Sequence, residues 1–384
     1  MSMTSRERVQ AVLNHELPDR VPIILGVSNA TGIKMKPYQG VKKLLGVEAP
    51  DDYIYDWPEL GTAKIDEQTM RRLHSDVRGV LDRFPQEVQE RNKNREPGSP
   101  CIDDWGGGQV EIEPGVWFPG YHPLAEATRI EELDAYTGWP DMDDPYRVAH
   151  VGEEAVKLAR ENQYAIMATP WLMFPFERAF EMQGMDKFLM NMVLYPDFAE
   201  ELLKRNLAYC KQHMGHFLEA IGENIDIIKI GDDLGSQDRL MISPKLYRQM
   251  LKPLHAELIE FIKARTKAKV FFHTDGDVFD LIGDFIEIGV DVLNPIQTSA
   301  GKMSDLKGLK NKYGDRLVFC GAIDTQHILP SGTPREVRDE VKRVIEILGE
   351  GGSYMVASVH TIMNEVPPEN ILAMVDAVLE FGYY

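Results

Sequence analysis

The chain has 384 residues, a formal net charge of -19, and 43% hydrophobic against 27% charged residues. This is the composition of an ordinary soluble globular protein, long enough for one large barrel or two average domains. So acidic a surface, with no basic stripe to offset it, argues against nucleic acid or an anionic membrane as partner. The three cysteines, Cys101, Cys210 and Cys320, share no short spacing. That excludes a CxxC redox or zinc-knuckle motif and points to a reducing compartment. The first residues are charged and lack an apolar leader, and no apolar run reaches the ~18 residues of a membrane span, so the expected location is cytoplasmic.

Thr4 or Ser5 is placed to cap a short helix running to Leu13, after which PDRVPIILGV gives a turn and a first apolar strand. The stretch from Val21 to Met70 contains no arginine. VRGVL, Val77 to Leu81, reads as a strand. Residues 84–123 are irregular and Gly-rich, with a hairpin expected around Pro114 and Gly115; they read as an inserted segment that either folds over a site or forms a surface excursion. A long helix is expected from Pro145 to Asn162.

From Tyr164 the rhythm is regular. Apolar strands alternate with amphipathic helices: YAIMATP, the helices between Phe176 and Gly222, a strand to Asp232, a helix from about Pro244 to Thr266, and a strand to His273. A helix from Val278 to Ile288, a strand to Pro295, helices from Met303 and from Pro334 to Leu348, SYMVASVH and a helix from Pro368 to Phe381 complete the series. Several strands end in polar residues: IDIIKIGDDLGSQ in Asp232, Asp233 and Gln237, AKVFFHTDGDV in His273 and Asp275, VDVLNPIQ in Asn294 and Gln297, and SYMVASVH in His360. Alternating strands and helices imply a parallel sheet, and with no glycine-rich phosphate loop at any junction the expectation is a (β/α)8 barrel of the TIM type. It carries an N-terminal extension and the inserted segment, as a single domain over 1–384.

RERVQAVLNHELPDRVP, GDDLGSQ, ISPKLYRQMLKP, HTDGDV, GVDVLNPIQ, CGAIDTQHILPSGTPREV and VPPENILAMVDAV, in this order and spacing, resemble the uroporphyrinogen decarboxylase superfamily, and within it the branch of corrinoid-dependent methyltransferases. Members that decarboxylate uroporphyrinogen resemble one another in an arginine-rich segment after the first strand, which grips the substrate's carboxylates by bidentate hydrogen bonds. The arginine-free Val21 to Met70 stretch lacks that clamp.

The methyltransferase branch resembles a chemistry in which zinc sits on a His-x-Cys pair and a later Cys. Here His273 stands at the motif's His, Asp275 replaces the first Cys, and His360 falls near the later Cys. The resemblance therefore implies a mixed zinc site of His273, Asp275, Cys320 and His360. It further implies methyl transfer, O-demethylation included, between a small methylated donor or acceptor and a corrinoid carried by a partner protein. Asp232, Asp233, Asn294 and Gln297 are the candidate catalytic residues around it. Each residue also has a plainer reading: a hydrogen-bonded strand-end His, a buried thiol for Cys320, a helix cap for Asp232 or Asp233. Two other functions stay open, metal-free decarboxylation of a smaller substrate around Asp232 and Asp233, and a non-catalytic ligand-binding descendant. The resemblance suggests a monomer or a homodimer.

Overall fold

The structure is a computed structural model that describes residues 3–96, 98–113, 116–171 and 174–384. The expected hairpin turn at Pro114 and Gly115 lies outside the described residues. Among those described, seven strands form one parallel sheet: β1 (Val77–Leu81), β5 (Ala165–Thr169), β6 (Ile227–Gly231), β7 (Lys269–His273), β8 (Val292–Ile296), β9 (Val318–Ile323) and β10 (Tyr354–Ser358). The other three, β2 (Cys101–Ile102), β3 (Gly108–Glu113) and β4 (Val116–Tyr121), form an antiparallel sheet inside the inserted segment.

The first apolar run, Val21 to Leu25, curls the seven strands into a closed barrel. Ile24 N–H donates to Val356 O at 2.9 Å and Val356 N–H to Pro22 O at 2.9 Å, a parallel pairing with β10. On its other edge Asp76 N–H donates to Ile23 O at 2.8 Å, just before β1 begins. This second seam depends on a side chain. The fully buried Asp76 carboxylate accepts from Ile23 N–H at 2.8 Å, from Arg20 at 2.9 Å and 3.1 Å, and from Arg8 at 2.7 Å. Arg8 belongs to the helix Ser5–Leu13, which Thr4 and Glu7 start with a reciprocal capping box. Val9, Val12 and Leu13 of that helix press into the barrel floor against an inner layer that includes Val77, Ala165, Ile227 and Phe271. Burying three such side chains contributes roughly 1.5–3 kcal/mol each, and it plugs the end of the barrel opposite the strand C-termini.

Several helices break where the sequence pattern ran on. The expected 145–162 helix is a 3-10 turn at Pro145–Arg147 followed by Val151–Glu161, because the first turn is tied down by the Asp144 carboxylate. The expected 244–266 helix contains a π-turn at Tyr247–Leu251 before Lys252–Lys263. Pro253 explains it: lacking an N–H, the residue leaves one carbonyl of the preceding turn without its donor. Pro334–Leu348 and Pro368–Phe381 begin and end where the periodicity places them.

The inserted segment is fastened to the barrel. Asp103 Oδ2 accepts from Arg178 at 2.6 Å, Asp104 pairs with Arg147, His122 Nδ1 meets Glu181 O at 2.8 Å, and Leu124 N–H donates to Met182 O at 2.8 Å. Arg178 is 2% exposed and its guanidinium lies 4.6 Å from the Trp105 ring. Three of these four contacts fall on one helix, Pro175–Gln183, which follows β5 at the C-terminal end of the strands. Of the two readings of the insertion, the structure supports a segment packed against the barrel's open face. Beside the latch, burial pushes the Glu181 carboxyl up to about 7, opposed by Arg178.

Two outcomes follow from these contacts. Asp76→Ala leaves the Arg20 guanidinium and a strand N–H without their carboxylate and Arg8 with Asp19 alone, and chemical denaturation is expected to show a loss of about 3–5 kcal/mol. Glu181 holds its proton in the folded state to about pH 7 but releases it near the ordinary value when unfolded. The wild type therefore loses stability as pH rises through that window. Glu181→Gln removes the dependence, so melting curves from pH 4.5 to 8 should show the variant gaining on the wild type up to pH 7, by at most about 3 kcal/mol, and then running parallel to it.

Candidate metal centre

Side chains alternate along each strand, so every second residue points into the barrel. On β7 the inward positions are Phe271, in the apolar floor, and then His273 at the rim. On β8 they are Val292 and Asn294; on β6, Ile227, Lys229 and Gly231. The inward residue opposite His273 is thus a glycine. A Cβ at Gly231 would stand 2.2 Å from the His273 carbonyl oxygen and 2.9 Å from its Cβ, so any larger residue would push the histidine aside. After β7 the chain turns at Gly276, whose φ of +86° is natural only for glycine, and which packs so closely on Gly235 that a Cβ would stand 2.3 Å from its carbonyl carbon. That turn swings Asp275 back over the barrel mouth.

His273, Asp275 and His360 converge there. Asp275 Oδ2 lies 3.8 Å from His273 Nε2 and 3.8 Å from His360 Nε2, and the three ligand-type atoms fall within 4.8 Å of one another. Tetrahedral zinc with bonds near 2.0–2.1 Å sets its ligands roughly 3.4 Å apart, so a small contraction would close this set around an ion. His273 Nδ1 bonds Asn294 Oδ1 at 2.7 Å. The amide oxygen can only accept, so Nδ1 carries the proton and the Nε2 lone pair faces the other two residues. Burial lowers the His273 pKa well below its ordinary value, with Lys229 and His360 adding to the shift. His360 is lowered to about 4 by burial and by Lys229 and Lys34. Both imidazoles are therefore neutral at physiological pH, the form that binds metal. Asp275 Oδ1 is buried without a hydrogen-bond partner among the described residues, as expected of an oxygen waiting for a cation.

Cys320 stands apart from this group. β8 lies between β7 and β9, so Asn294, whose side-chain oxygen bonds His273, stands between that histidine and the thiol. Cys320 is fully buried in the apolar inner layer, and burial pushes its thiol up to about 12. The four-residue ligand set expected from the sequence is reduced to three by the geometry. Asp232 also has a different place. Its carboxylate accepts from Phe176 N–H at 3.1 Å, Glu177 N–H at 2.9 Å and His255 Nε2 at 2.9 Å, capping the helix Pro175–Gln183 from a neighbouring strand end. Asp233 faces the site, its Oδ1 accepting Asp275 N–H at 2.9 Å. Gln297 Oε1 accepts Gly276 N–H at 2.7 Å and so supports the turn that carries Asp275.

Comparison with known proteins settles the family at this point. The family model described as uroporphyrinogen decarboxylase matches residues 107–381. The chain belongs to the uroporphyrinogen decarboxylase family. Relatives described as uroporphyrinogen decarboxylase include one from Psychromonas ingrahamii, 24% identical over 192 residues (46% of this chain and 51% of that one). Another from Coxiella burnetii is 23% identical over 191 residues (49% and 48%). These matches span about half the length of the relatives. Among solved structures, a methyltransferase from Methanosarcina mazei superposes with a TM-score of 0.64 at 19% identity, covering 99% of both chains. At that identity the likeness establishes a shared fold from end to end.

Two residues of the site escaped the sequence reading, Lys229 and Glu177. Glu177 is raised well above the usual carboxyl range by burial and by the neighbouring Asp233 and Asp232, and the pKa of Lys229 is lowered by burial. Lys229 was legible: a lone lysine at an inward position of IDIIKIG contradicts an apolar strand. Glu177 was not, because the exposed-looking first turn of a helix gives no sign that Asp232 folds it over the barrel. Removing that cap in Asp232→Ala leaves His255 and two helix N–H groups unpaired in the core. A loss of about 3–5 kcal/mol in denaturant titrations is expected, with metal binding changed less than in the histidine variants considered below.

Proposed function

We propose that the chain is a metal-dependent methyltransferase that moves a methyl group between a small methylated substrate and a corrinoid carried by a partner protein. The observation that carries this reading is the convergence of His273 Nε2, His360 Nε2 and Asp275 Oδ2 at the barrel mouth. Two neutral imidazoles and a carboxylate suit zinc and leave one tetrahedral position for substrate. A zinc ion held there supplies Lewis acidity to the atom that loses or gains the methyl group.

The protein's own groups do the rest. Asn294 holds His273 in the tautomer that presents Nε2, and Gln297 braces the turn that aims Asp275. The rim of carboxyl groups, Glu177, Asp233 and Asp275, suits a small substrate with little negative charge. A polycarboxylate would need several cations, and the stretch from Val21 to Met70 supplies no arginine. The metal-free decarboxylase reading loses support because Asp232, its first candidate acid, is committed to three buried donors.

Metal analysis of protein purified without added metal is expected to give about one zinc per chain, absent from both His273→Ala and His360→Ala. Cys320→Ser is expected to keep its zinc. With zinc loaded, the wild type should demethylate a small methyl donor in the presence of reduced corrinoid, read from the corrinoid's visible spectrum. A wild type that neither holds nor takes up zinc would sink the reading.

A further inference from the structure

The inward face of β6 carries an ammonium group for which the proposed chemistry has so far found no use. Ile227 is in the apolar floor, Gly231 lies beside His273, and Lys229 stands between them, paired in register with the floor residue Phe271. Its side chain therefore rises from the floor toward the metal-binding rim. Among the described residues, no carboxylate comes within ion-pair distance of Lys229 and no oxygen accepts a hydrogen bond from it, although a cation inside a barrel ordinarily requires a partner.

The nearby acids Glu177, Asp233 and Asp275 act on Lys229 through space, against the burial that lowers its pKa, and none of them forms a direct ion pair with it. Asp275 directs Oδ2 to the two histidines, and Asp233 takes Asp275 N–H at 2.9 Å. Burial favours the protonated form of Glu177. The remaining groups that face it, His273 and His360, are imidazoles and supply no negative charge in either protonation state.

We propose that Lys229 is the anion anchor of the site, receiving the oxyanion that a methoxy-bearing substrate leaves behind. This rests on the methyl-transfer reading and narrows its substrate to the ether of an acidic hydroxyl, such as a phenyl methyl ether. In that step the O–CH3 bond breaks and its electron pair stays on oxygen. The methyl carbon passes to the reduced corrinoid, which supplies the electron pair of the new bond. The oxygen becomes a phenolate and no proton moves. Lys229 meets that charge from β6, the strand beside the one that carries His273, and is absent as a partner for the neutral ether. It is thus an interaction stronger in the transition state than in the ground state.

The test reads phenolate binding without turnover. 4-Nitrophenol changes its visible absorbance on ionisation, so its ionised fraction is read directly when bound. Metal-free wild type, prepared by chelation, is expected to bind the nitrophenolate form at least tenfold more tightly than Lys229→Met does, and to shift the bound phenol's titration downward. Lys229→Arg should retain most of the shift. If Lys229→Met is poorly folded by circular dichroism, Lys229→Gln serves in its place. Equal nitrophenolate affinity in wild type and neutral variants, or no binding to the metal-free wild type, overturns the anchor. Zinc stoichiometry is measured separately, so a failed anchor in a protein that binds zinc leaves the metal centre standing, and the reverse result is equally distinct.

Discussion

A single carboxylate closes this barrel. Strand pairing alone holds Val21 to Leu25 to β10, but on the other side the ladder to β1 is short. Asp76 completes it by accepting from a strand amide, from the arginine beside that strand and from an arginine of the plug helix. Closure has a functional consequence because the ligand set spans the ring. His273 ends β7 and Asp275 follows it, while His360 follows β10, and the two sides are brought face to face by the curvature of the sheet. A carboxylate at the floor therefore fixes a distance at the mouth. Replacing it by an apolar side chain would leave Arg20, 5% exposed, with only the Val21 carbonyl, and Arg8 with Asp19 as its one carboxylate.

Above the floor the barrel changes character over one residue step per strand. Phe271, Val292 and Ile227 give way to His273, Asn294 and Lys229. The low dielectric below makes the electrostatics above strong: both histidines lose basicity, the carboxyl groups of Glu177, Asp233 and Asp275 gain it, and every shift has burial as its largest cause. The result is a rim whose groups are held near neutrality without being paired off. Such a rim favours a divalent cation, which discharges several of these costs together, over an extended polyanion, which would meet too few positive charges.

The sequence showed the barrel because buried parallel strands and amphipathic helices differ in period, and each strand's polar end marked the face where a site would lie. It showed His273, Asp275 and His360 through family resemblance, and the geometry groups these three. It left Cys320 open between ligand and buried thiol, because an inward thiol and a rim thiol look alike in one dimension; the strand order, with Asn294 between Cys320 and His273, sets the thiol apart from the three. Asp232 stood open between catalytic residue and helix cap for a related reason. Of two adjacent acids at a strand end, one must point outward and one inward, and the letters do not say which carboxylate meets a helix N-terminus. The breaks at Arg147 to Val151 and Tyr247 to Leu251 were invisible because apolar periodicity persists through a turn of different pitch.

The insertion and the metal centre belong to one connected framework. Asp103 and Asp104 fasten the inserted sheet to Arg178 and Arg147, and Arg178 sits in the turn after Glu177. The N–H of Glu177 rests on Asp232; the next residue, Asp233, accepts the N–H of Asp275. Three short contacts thus lead from Asp103 of the inserted segment to a candidate metal ligand, through groups that are buried and have few alternative rotamers. Packing of this kind transmits displacement. A displacement of the inserted sheet would reach Asp275 along this route, against the brace that Gln297 gives the turn at Gly276. His273 and the turn that carries Asp275 are thus both held from the end of β8, by Asn294 and by Gln297, so the two would-be ligands share one support.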